Sequence, residues 1–261
     1  MKRIWFAMRS RVPIFIGIIC CPFFSASSDT QKSQRDSTEK IFMLCPSFAY
    51  QLPGGNLADR FGYNFNVGGS FMLKTKSNWL FGIEGQFLFG DQVNENHILD
   101  SISTQQGFVI GTNGGYADIF LYERGFHFFV KVEKVFPVFS PNANSGLMAT
   151  VGVGLLQHKI RIQNDDENAP QVLGDYVEGY DRLTNGLSLT ESIGWLYLGK
   201  NHVANFTFGF EFTQAFTKNR RSYNFDEMRK DDSNRVDLLY GFRVSWIIPF
   251  RKRVVKEFYY N

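Results

Sequence analysis

Nowhere in this chain of 261 residues do twenty apolar residues run together, so no segment of it can cross a bilayer as a helix. Cysteine is nearly as scarce. Of the three, Cys20 and Cys21 lie in an apolar leader, and Cys45 alone beyond it can form no intramolecular disulfide. Also missing are a phosphate-cradling glycine loop, paired cysteines or histidines at metal-ligand spacing, and a nucleophile elbow. The acidic runs NDDEN (164–168) and RKDDSNR (229–235) lack the oxygen spacing of a calcium loop and read as solvated charge. These absences point to a protein that is not an enzyme and has no cofactor and no metal. A lipid-modifying hydrolase stays open only if His158, beside Thr150 or Ser192, or His127 acts as a base; His127, His158 and His202 are scattered among strands and turns.

Basic character is scarcer than the net charge of +3 implies. Lys2, Arg3, Arg9 and Arg11 precede an apolar run from Val12 to Phe24 and small residues at Ser25 and Ser27, the layout of a secretory signal peptide over 1–27. An uncleaved anchor, or a lipoprotein using Cys20 or Cys21, are the alternatives; the bulky residues before those cysteines fit the latter poorly. Removing 1–27 takes four basic residues and no acidic one, so +3 becomes −1. Nucleic-acid binding loses its main support.

What is abundant is aromatic. There are 28 phenylalanines, and 16% of residues are aromatic, yet mean hydropathy is −0.20. Val203 to Phe216, VANFTFGFEFTQAF, shows why both hold. Its even positions are Ala204, Phe206, Phe208, Phe210, Phe212, Gln214 and Phe216, and its odd positions from Asn205 to Ala215 are small, polar or charged. A two-residue period belongs to a strand with one aromatic face and one polar face.

Seven more segments share the pattern: 41–52, 63–74, 79–90, 126–136, 147–162, 186–198 and 237–250. Pro46, on the apolar face of the first, predicts a bulge or ladder break. Residues 116–124 are expected to extend the fourth strand beyond the membrane. HILDSI (97–102) holds a possible helical turn, and Lys200 to His202 reads as a tight turn.

The polar faces carry Gly, Ser, Thr and Asn rather than the Lys and Glu of a soluble sandwich. Small groups suit the cramped lumen of an eight-stranded barrel. The fold class expected is therefore all-β: an eight-stranded antiparallel up-and-down transmembrane barrel over 41–250. A flexible lead-in at 28–40 precedes it, and a basic and aromatic tail at 251–261 follows. Long loops at 53–61, 91–115, 164–185 and 217–235 fall at one end and short turns at the other. Trp79, Trp195 with Tyr197, and Trp246 then gather at the short-turn, periplasmic interface as an aromatic girdle.

Facing the lumen are Glu84, Lys131, Glu133, Glu211 and Arg243, with His158 near the outer end of its strand. Buried charges must pair, so these should form an ion-paired plug, a proton or solute path being the alternative. Glu191 falls on the lipid face. That misfit calls for a bulge or a shielding neighbour, and makes it the candidate contact for a protein partner in the membrane.

Gly241, Val244, Trp246 and Phe250 resemble the C-terminal strand signal of outer-membrane barrels, although the chain continues past Phe250. The segments FPVFSPNANSGLMATVGVGLLQHKIRI and GYDRLTNGL resemble small outer-membrane barrels of the Bacteroidota, the group that includes PorT-like secretion-associated barrels. That resemblance implies an accessory or structural subunit of a secretion or assembly machine, in contact with outer-membrane lipid and protein partners. Alternatives are a narrow transport or ligand-binding barrel and, less favoured, the lipid-modifying enzyme.

Overall fold

A computed structural model describes residues 38–95, 97–199 and 204–250. The signal peptide, nearly all of the lead-in, the turn at 200–202 and the C-terminal tail fall outside them. Eleven strands follow in order: β1 (Ile41–Gly55), β2 (Asn64–Lys74), β3 (Trp79–Gly90), β4 (Val109–Ile110), β5 (Tyr116–Ala117), β6 (Ile119–Phe136), β7 (Gly146–Asn164), β8 (Thr184–Leu198), β9 (Asn205–Asn219), β10 (Asn234–Trp246) and β11 (Ile248–Phe250). A five-residue helix, α1 (Asn56–Arg60), follows β1, a short element that strand periodicity could not reveal.

Every barrel pairing is antiparallel and joins sequence neighbours, with β10 and its continuation β11 returning to β1 to close the ring. The eight-stranded barrel is thus the observed fold, and closure leaves no edge strand unpaired. Following the paired row from Arg124 on β6 leads through Phe89, Phe65, Tyr50, Phe242, Phe210, Ile193 and Ala149 back to β6 at Lys134. The return lies ten residues along β6, from 124 to 134. This stagger tilts the strands and decides which inward residues meet across the lumen.

Pro46 behaves as expected in one respect. It pairs with Gly69 without a register shift, so there is no bulge, while the β1 ladder to the last strand is interrupted opposite it, between β10 and β11. The fourth barrel strand is longer than the 126–136 crossing, because residues 119–125 stay paired with β7 out to Asn164. Tyr116 and Ala117 leave the barrel and pair with β4 in a separate hairpin. At 97–102 the helical turn is a single 3-10 turn, Asp100–Ile102.

Alternation sets the outside. Phe206, Phe208 and Phe210 are 40%, 42% and 73% exposed, and among the described residues no second layer covers them. The band continues around the ring through Phe42, Phe48, Phe71, Phe81, Phe87, Phe128, Val153 and Leu189, all exposed. From Trp79 to Phe87 it spans eight residues of a tilted strand, roughly 20 Å, close to the apolar band of a membrane barrel.

The inside departs from an all-polar lumen. At the short-turn end Ile41, Met43, Met72, Leu80, Val135, Met148, Leu196 and Ile247 pack into one apolar cluster. Beneath the long loops Leu57, Phe61, Leu88, Ile98, Val109, Ile160, Val172, Tyr180 and Leu239 pack into another. Loop 91–115 contributes Ile98 and Val109, so it folds inward over the mouth. Polar groups occupy the layers between, where tilted strands leave a core too narrow for a pore.

Candidate functional site

Four of the inward charges form a closed alternating ring. The Lys131 Nζ lies 2.7 Å from Glu84 and 3.3 Å from Glu211. The Arg243 guanidinium reaches Glu84 at 3.0 Å and bonds the Oε1 of Glu211. Each cation touches both acids and each acid both cations, the arrangement that buried charge requires. Glu133 lines the same small cavity, beside Ser70, Thr150 and Ser192, so three carboxylates face two cations there.

The neighbours explain how long side chains fit. Register places Lys131 between Gly82 and Gly152, Arg243 between Ala49 and Gly209, and Glu211 between Ser192 and Gly241. A Cβ at Gly152 would stand 2.9 Å from the Lys131 Cγ and 2.9 Å from the Thr190 methyl. Glycine here clears the path that the charge crosses.

His158 lies apart from that ring. Its Nε2 is 3.0 Å from Asp237, whose same oxygen accepts a 2.5 Å bond from Thr217, and Phe61 packs edge-on against its ring. Thr150 and Ser192 pair with each other eight residues down the barrel from His158. The hydroxyls weighed as nucleophiles are therefore not brought to this histidine, and Thr217 bonds the carboxylate rather than the imidazole. His127 packs edge-on against Phe129, which is fully buried between the two polar layers, with the Lys131 Nζ 5.5 Å from its ring. Phe129 is the lumen residue that polarity alone could not flag.

Above the mouth the loops are tied by two buried arginines, Arg60 and Arg182, and a half-buried one, Arg221. Arg60 bonds Glu95 at 2.9 Å and Thr184 at 3.0 Å; Arg182 meets Glu95, Asp226 and Glu227; Arg221 holds Asp181 and Glu178. Burial raises the Asp231 carboxyl, but hydrogen bonds from Arg235 and Ser233 outweigh it and hold the group below its ordinary value. Its contribution is therefore present at neutral pH and lost as pH falls through that depressed value. Arg182→Ala should leave three carboxylates around an empty site and loosen loop 220–233. Trypsin cleavage after Arg229 or Lys230 is expected to rise roughly tenfold, which fragment mapping checks; an unchanged rate would show that Arg60 and Arg221 hold the lid without it.

On the outside, Trp79 begins β3 while Trp195 and Trp246 lie at the ends of β8 and β10, so all sit at the short-turn end. Lys134 covers Trp79 at 4.9 Å, and Tyr197 packs on Phe206 at 5.4 Å. Glu191 is exposed on the outer face, between Val151 on β7 and Phe212 on β9. The register there is unbroken, so no bulge turns it inward.

No protein-family model and no curated protein matches the chain. Among solved structures it is similar to Neisserial surface protein A, at 12% identity over 78% of this chain and 96% of that one, with a TM-score of 0.39. Ail, the attachment invasion locus protein of Yersinia pestis, gives 10% identity over 80% and 99% with a TM-score of 0.35. OprG from Pseudomonas aeruginosa gives 12% over 80% and 96% with a TM-score of 0.30. A closed ring of eight antiparallel strands, an uncovered aromatic band and an interface row of tryptophans together make this chain an integral outer-membrane β-barrel.

Proposed function

We propose that this barrel is a non-enzymatic accessory subunit of an outer-membrane secretion or assembly complex, which it joins by lateral contact through the β7–β9 face. One observation carries the reading: a carboxylate, Glu191, stands in the apolar band with Val151 and Phe212 as its cross-strand neighbours. Ionisable groups facing lipid are costly and tend to mark function. Around it Val151, Ile193 and Phe210 are 58%, 54% and 73% exposed, and Ala149 adds a shallow place for another surface. A neighbouring subunit donating a hydrogen bond or a cation there would offset the cost. The resemblance to PorT-like barrels supports the choice of complex.

Two measurements test it. A photo-crosslinker at Leu189 on β8 should trap a defined protein in the native membrane, while one at Val67 on β2, four barrel strands away on the opposite face, should trap lipid alone. Equal labelling at both positions would sink the proposal. Glu191→Leu should stabilise the isolated barrel by about 1–2 kcal/mol and abolish the crosslink. The rival reading, a transport barrel, requires unitary conductance in planar bilayers; with both ends of the lumen packed, the wild-type protein is expected to stay silent.

A further inference from the structure

We propose that a basic cluster on the outer rim of β6 and β7, formed by Arg124, Lys159 and Arg161, binds the phosphorylated headgroup of a lipid seated in the outer leaflet. The three side chains leave the barrel on the lipid side, because they share the parity of Phe126 and Phe128 on β6 and of Val153 and Leu155 on β7. Arg124 is paired with Lys159, and Arg161 is paired with Tyr122, one outward position further along. Such diagonal positions are about 7–8 Å apart, within reach of arginine side chains converging on one anion.

The cluster is short of negative charge. Arg124 donates to two backbone carbonyls, of Glu123 at 2.7 Å and Gly90 at 3.3 Å, and lies over the Tyr122 ring at 4.9 Å. Among the described residues no carboxylate pairs with it or with Arg161. Lys159 stands 3.8 Å from an Asp181 oxygen that Arg221 already holds at 2.6 Å. Glu123, the acid adjacent in sequence, is buried on the lumen side.

Height and close grouping select the ligand. Phe126 and Phe128, the next two outward residues below on β6, are exposed members of the apolar band, so acyl chains lie directly beneath the cations. Along the paired row from Arg124 in the other direction come Phe89, Phe65 and Tyr50, with no charge. Outward cations recur at Lys218 and Arg220 at the end of β9, two strands from β7, whereas Arg124, Lys159 and Arg161 occupy adjacent positions of one strand pair and so fit a single headgroup bound by charge-assisted hydrogen bonds while its chains line the band.

The test uses the whole protein purified in non-ionic detergent, mixed with dioleoyl phosphatidate or dioleoylglycerol and read by native mass spectrometry. Wild-type protein should retain phosphatidate at least roughly tenfold better than the phosphate-free lipid. R124Q/K159Q/R161Q should erase that preference, and K76Q/K230Q, basic residues elsewhere, should keep it. Inorganic phosphate at millimolar concentration should not displace the lipid. Equal retention of the two lipids by the wild type, an unchanged preference in the triple variant, or displacement by free phosphate would each overturn the proposal. If the triple variant fails to show strand-rich circular dichroism, R161Q alone, at an exposed position, decides: a severalfold loss supports the site and no loss refutes it.

Discussion

Lys131→Met is expected to cost about 3–5 kcal/mol of barrel stability, among the largest effects available to a single substitution. The methionine fills nearly the same volume between Gly82 and Gly152, so packing changes little. What is lost is the ammonium that touches both Glu84 and Glu211, leaving Arg243 alone against three carboxylates that line one cavity. Urea unfolding in lipid vesicles measures this directly through the fluorescence of Trp79, Trp195 and Trp246 at the short-turn end of the barrel. Adding Glu84→Gln should recover a good part of the loss, because it removes a charge the lysine had balanced. A double variant as unstable as the sum of its two parts would show that the ring is not coupled.

Phe129→Ala should cost about 3–5 kcal/mol for a different reason. Its ring is fully buried, separates the charged ring from His127 above, and lies where a Cβ at Gly154 would meet its Cδ1 at 2.7 Å. Truncation leaves a cavity that strands in a closed ladder cannot collapse to fill. Phe129→Leu, which keeps most of the apolar volume, should cost roughly 1–2 kcal/mol. If alanine and leucine behaved alike, the ring's volume would not be what supports the mid-lumen.

Much of this was legible in residue order, and the exceptions share causes. Phe206 to Phe216 announced its faces because large rings and small polar groups alternate without interruption. Ile41 to Cys45 and Ile247 to Phe250 announce only the outer one: Phe42, Leu44, Ile248 and Phe250 read as outward and are exposed, but the alternate positions are apolar too, so nothing polar marks them as lumenal. Met43, Met72, Met148 and Ile247 consequently carry no lumenal signal in residue order, although they close one end of the barrel. Phe129 was hidden likewise: inward by parity, yet aromatic where polar residues marked the inside. Residue order places His158 near the outer end of its strand, where the structure has it, but its partner Asp237 lies 79 residues away on β10.

Residue order by itself determined the strands, their apolar and polar faces, the alternation of long and short connections, and therefore a membrane barrel with charge inside. Only the closed structure decided which charges meet. Strand periodicity records direction but not height, and height depends on the ten-residue stagger accumulated around the ring. That stagger brings Glu84, Lys131, Glu211 and Arg243, from four strands, into one layer and sends His158 to another.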